Sequence, residues 1–112
     1  MDFDLAIFTD IPITDGVQTD AGLEIIDYSG KIKIFKSYSN YEGTLEDVIY
    51  DFLQKIESKS ENIFSTKTLL QIGAYYLLKD SIVFSVRLSS RCLTELGRRF
   101  VDIDICGYPC SE

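Results

Sequence analysis

The chain contains no histidine. That removes the commonest general base, the commonest metal ligand and every Ser-His or Cys-His nucleophile arrangement. Neither common type of glycine-rich phosphate loop is present. No stretch approaches the ~20 apolar residues needed to span a bilayer, so no membrane association is expected. Tryptophan is absent and there are only two prolines, Pro12 and Pro109. No repeat, low-complexity tract or linker divides the 112 residues, which reads as a single domain over 1–112. The three cysteines, Cys92, Cys106 and Cys110, are an odd number and do not form a disulfide framework. Cys106 and Cys110 stand four apart, without the further ligands a zinc site requires. No cofactor and no catalytic residue is therefore expected. Met1-Asp2-Phe3-Asp4 is acidic where a secretion signal needs a basic start, and a cytoplasmic location is the expectation.

The most informative absence is of positive charge. Residues 1–30 hold seven acids (Asp2, Asp4, Asp10, Asp15, Asp20, Glu24 and Asp27) and no Lys or Arg. Residues 31–112 hold eleven acids and eleven bases, so the net charge of −7 belongs to the first thirty residues. Such a field repels phosphate backbones and disfavours direct nucleic-acid binding. It attracts a cationic protein and speeds its association. Acidity also aids solubility, but solubility gives no reason to concentrate the acids in one third of the chain.

What is present has clear periodicity. Phe3, Leu5 and Ile7 alternate with Asp2, Asp4 and Ala6, a strand with one wet face. Residues 9–22, rich in Asp, Thr, Gly and Pro, read as a long connection. Segments 23–28 and 31–38 flank Ser29-Gly30 and predict a hairpin. Over 44–57, Leu45, Val48, Ile49, Phe52, Leu53 and Ile56 recur at helical spacing, with Thr44 as cap and Asp47 completing a capping box. Residues 58–68 are polar, with a short helical turn expected near Ile63-Phe64. Segments 69–78 and 81–88 flank Lys79-Asp80 as a second hairpin, although Leu69, Leu70, Ile72 and Tyr76 would also suit a helix. Ser89 or Ser90 can cap a short helix through Leu96, with Gly97 as its stop. Residues 100–106 form the last strand, with Val101, Ile103 and Ile105 inward and Asp102 and Asp104 outward. The predicted fold is α+β: a mainly antiparallel sheet in the order β-β-β-α-β-β-α-β, with two helices packed on one face. Its other face would be partly wet and display polar residues and tyrosines.

Asp102 and Asp104 are neighbours on one strand face. They could serve a small enzyme or ligand-binding module, but two carboxylates without a third convergent oxygen make a poor cation cage. Arg98-Arg99 lies near a helix C-terminus, where dipole complementarity accounts for it.

The run Ser85-Val86-Arg87-Leu88-Ser89-Ser90-Arg91-Cys92-Leu93-Thr94-Glu95-Leu96-Gly97, continued by Phe100-Val101-Asp102-Ile103-Asp104-Ile105, resembles a small bacterial family. Its chains end in a strand, a Ser-capped helix closing in Leu-Gly, and an Asp-Ile-Asp strand. Cys106 stands where that family usually has Tyr, and Tyr108 follows two later. The match covers about 65 residues, counting the amphipathic helix, and leaves out the first thirty. Members of the family occur among the immunity proteins of contact-dependent inhibition and polymorphic toxin systems. The resemblance implies a cytoplasmic protein that binds and neutralises one cognate toxin, often a cationic nuclease. Partner contacts are expected at Asp10, Asp15, Asp20, Glu24 and Asp27, with Tyr28, Tyr38 and Tyr41 as aromatic neighbours.

Overall fold

The computed structural model describes residues 2–9, 23–28, 31–57, 68–77 and 86–110. Its elements run β1 (Asp2–Thr9), β2 (Glu24–Tyr28), β3 (Lys31–Tyr38), α1 (Leu45–Glu57), β4 (Thr68–Leu77), α2 (Ser90–Arg98) and β5 (Val101–Cys110). The five strands form one sheet in the order β2-β3-β1-β4-β5.

Alternation on β1 sets the two faces of that sheet. Phe3, Leu5 and Ile7 are buried. Across the sheet they lie opposite Tyr38, Lys36 and Ile34 on β3 and Ala74, Ile72 and Leu70 on β4. Directly paired residues share a face, so one side of the sheet presents a largely apolar floor, with Lys36 the charged exception in these rows. α1 covers it with Leu45, Val48, Ile49, Phe52, Leu53 and Ile56, all buried as the helical spacing predicted. α2 adds Cys92 and Leu96 to the same core. Each large side chain buried there contributes about 1.5–3 kcal/mol by leaving water.

The helix ends are fixed locally. Thr44 Oγ1 accepts from the Asp47 N–H at 3.3 Å while Asp47 Oδ2 accepts from the Thr44 N–H at 3.0 Å, the reciprocal pattern of a capping box. Ser89 caps α2, its hydroxyl accepting from the Cys92 N–H at 3.2 Å. The Ser89 N–H in turn donates to Glu46 on α1 at 2.5 Å, tying the start of one helix to the flank of the other. At the far end Arg99 binds Glu57 of α1 and Glu95 of α2, both at 2.7 Å.

Three expectations are corrected. The sheet is mixed: β1 pairs antiparallel with β3 and β4, and β2 with β3, but β4 and β5 run parallel. A parallel pair needs a crossover, and α2 lies within the one between them. The element order is β-β-β-α-β-α-β, not β-β-β-α-β-β-α-β. Residues 86–89, expected to end a strand, have no regular structure, and 81–85 lie outside the described residues. The helix expected to stop at Gly97 continues through Arg98, and the residue with positive φ just beyond it is Phe100, at 56°. Of segment 69–78, residues 69–77 are described and form a strand, because β4 is hydrogen-bonded on both sides, to β1 and β5. The turn expected near Ile63-Phe64 lies outside the described residues. Among the described residues, no helix is long and apolar enough to cross a membrane.

Candidate partner-binding face

Neither described helix packs against the opposite face of the sheet, and the strand register determines what it shows. Four rows cross it. The first runs Asp2, Tyr75, Tyr108; the second Ser37, Asp4, Gly73, Cys106. The third runs Glu24, Phe35, Ala6, Gln71, Asp104; the fourth Ile26, Lys33, Phe8, Leu69, Asp102. Ala6 and Gly73 are diagonal neighbours at the centre and carry the smallest side chains. Larger groups surround them, which leaves a depression of about 240 Å³ lined by Asp4, Lys33, Phe35, Gln71, Tyr75 and Tyr108 among others. That volume falls below the ~300–1,000 Å³ usual for small-molecule sites.

Aromatic rings form its walls. Tyr75 and Tyr108 stack with centroids 5.2 Å apart and planes 22° off parallel. A Cβ on Gly73 would lie 3.2 Å from the Tyr108 ring, so glycine lets that ring lean over the strand. On the other side, the Lys33 ammonium lies 5.2 Å from the Phe35 ring centroid and 5.9 Å from that of Phe8. This is cation–π geometry, which keeps the cation against the rings.

The carboxylates on this face are held in place. Asp4 Oδ1 accepts from the Ser37 hydroxyl at 2.8 Å, and Asp2 Oδ1 accepts from the Asn40 N–H at 2.8 Å. The Tyr75 hydroxyl has its pKa raised, first by its hydrogen bond to Asp4 and then by burial. Asp102 and Asp104 are exposed on β5, and neither lines the depression. On the described strand side chains of this face, five carboxylates (Asp2, Asp4, Glu24, Asp102 and Asp104) face one ammonium, Lys33.

The residues expected at the partner site separate in the structure. Glu24 is exposed on this face. Asp27 and Tyr28 lie on β2, their backbones opposite Ile32 and Lys31. Asp10, Asp15 and Asp20 lie outside the described residues. Tyr38 is buried beneath α1, and its hydroxyl donates to Asp51 at 2.6 Å. Tyr41 meets it edge-on at 5.7 Å and is half-buried. Packing accounts for these two rings. The sequence reading missed Asp4, Gly73, Tyr75 and Tyr108 as a group. Their one sequence signal was Gly73 within an otherwise bulky strand, a mark of close approach.

Cys92 is buried, and burial raises its thiol pKa, which keeps it in the unreactive form. Among the described residues, no three His, Cys, Asp or Glu side chains cluster as a metal site would require. No family model, curated protein or solved structure matches the chain.

Proposed function

We propose that this chain is an immunity protein that binds and neutralises a cognate bacterial toxin domain. The toxin is a cationic nuclease, and the acidic protein covers its substrate-binding charge in the cytoplasm. The observation that carries the reading is the charge partition: the entire net charge of −7 belongs to residues 1–30. Concentrated like charge costs the isolated protein stability, and a cationic partner relieves it. The placement of Asp2, Asp4 and Glu24 on a sheet face that neither described helix covers agrees with this role, as does the resemblance of the C-terminal third to immunity proteins. Asp102 and Asp104, on which the alternative of a small enzyme or ligand-binding module rests, are exposed and do not line that depression.

Co-expression with the toxin domain encoded beside it tests the proposal. The chain should copurify with that domain, abolish its nuclease activity and restore growth, and the affinity should fall as salt rises. Undiminished cleavage with this chain in excess would overturn the reading.

A further inference from the structure

We propose that the depression on the open sheet face receives an arginine side chain from the cationic partner. The inference rests on the immunity reading and gives it a specific contact.

Four observations support it. Among the described strand side chains of this face, five carboxylates stand against one ammonium, which favours a cationic occupant. The small Ala6 side chain lies at the centre of the floor, and Gly73 beside it lets the Tyr108 ring lie close over the strand. Tyr75 and Tyr108 provide stacked ring surface at one wall, and Phe35 provides another. Guanidinium stacks on such rings, whereas an ammonium is a compact, strongly hydrated charge. At the rim, Asp4 takes a hydrogen bond from the Ser37 hydroxyl at 2.8 Å. A carboxylate has about four lone-pair sites. Two of these can take the parallel N–H pair of a guanidinium, and the bond from Ser37 orients the acceptor.

Lys33 also lines the depression, but its ammonium is engaged with Phe8 and Phe35. It makes one end of the site cationic and leaves Asp4 as the acceptor for an incoming cation. A phosphate or carboxylate ligand would gain Lys33 but meet Asp4 and the surrounding acids.

The test uses the full chain, isotope-labelled, titrated with the blocked tripeptide acetyl-Gly-Arg-Gly-amide and with its Lys and Glu counterparts. The arginine peptide should move the amide resonances of Asp4, Ala6, Gly73 and Tyr108, the lysine peptide much less and the glutamate peptide not at all. Asp4→Asn removes the charge-assisted acceptor and should weaken arginine binding about tenfold. Tyr108→Ala removes a ring that is 47% exposed, so the fold should survive, and it should weaken the same interaction severalfold. If the lysine peptide moved the same resonances as strongly, the arginine assignment would be wrong. Shifts confined to residues 10–28, or none, would also overturn it. Toxin capture that persists in Asp4→Asn and Tyr108→Ala would sink the arginine site alone. Failure of the native chain to capture the toxin would sink the functional reading beneath it.

Discussion

On one face of the sheet Leu5, Ile7, Ile34, Leu70 and Ile72 are almost fully buried beneath α1 and α2. One residue along each strand, Asp4, Ala6, Lys33, Phe35, Gln71 and Gly73 border a depression open to solvent. The backbone is shared, so the contrast comes from side chains alone. Covered positions are mostly apolar and interlocked, with Thr9 and Thr68 the buried polar exceptions among the described residues, and there volume matters more than chemistry. Open positions mix carboxylates, an ammonium, rings and two very small residues. A face that only needed to be wet would not require Gly73 under the Tyr108 ring or an Asp4 carboxylate hydrogen-bonded from the neighbouring strand.

Substitutions on the two faces should therefore differ sharply. Phe52→Ala, at a fully buried site, should cost about 3–5 kcal/mol of unfolding free energy in urea titration. A loss under 1 kcal/mol would mean that the covered face is not the core.

Acid should reach the helix side next, because several of its ties involve carboxylates. At Asp51, burial opposes ionisation, but hydrogen bonds from Lys55 and Tyr38 prevail and hold the pKa below its ordinary value. Hydrogen bonds from Arg98 and then Arg99 hold Glu95 down to about 2. Both pKa values are lower folded than unfolded, so the stabilisation is complete above the ordinary carboxylate range near ~4. It is lost as pH falls through the folded values. The urea midpoint should therefore fall between about pH 4 and pH 2, and Arg99→Met should flatten the Glu95 part of that slope. A midpoint constant over this range would show that these pairs contribute nothing.

A smaller change, of opposite sign, belongs to the junction of α2 and β5. Phe100 has φ of 56° and is 63% exposed. A bulky L-residue in that region is strained, and glycine is not. Phe100→Gly should raise the thermal midpoint, corresponding to a gain of up to about 1 kcal/mol. A drop would mean that the ring packs more than its exposure indicates.

The smallest effect should come from the open face. Tyr108→Ala should cost below about 1 kcal/mol, the value of one stacked pair. A cost matching Phe52→Ala would erase the distinction between the faces and assign the tyrosine pair a structural role.

Much of this was legible from residue order. α1 was plain because its six apolar residues fit a 3.6-residue period with a capping box at the start. The inward set on β5, Val101, Ile103 and Ile105, followed from alternation. Segment 69–78 was ambiguous, since Leu69, Leu70, Ile72 and Tyr76 satisfy two periods; pairing with β1 and β5 selected the strand. Tyr38 looked like a surface aromatic among Lys and Ser. Its register opposite Phe3 turns it inward, beneath α1. Gly97 looked like a helix stop, but the chain takes its positive φ three residues later, where Phe100 N–H bonds the Gly97 carbonyl.

Sequence by itself determined α1, α2 and the five strands that form, which side of β1 and β5 turns inward, and that the negative charge is carried by the first thirty positions. These properties depend on local period and composition. Tertiary structure alone decided that β4 and β5 run parallel, that β1 lies at the centre, and that Asp4, Phe35, Gly73 and Tyr108 border one hollow. Alternation tells a strand which side to bury, whereas its neighbours and their direction follow from contacts between residues far apart in the chain.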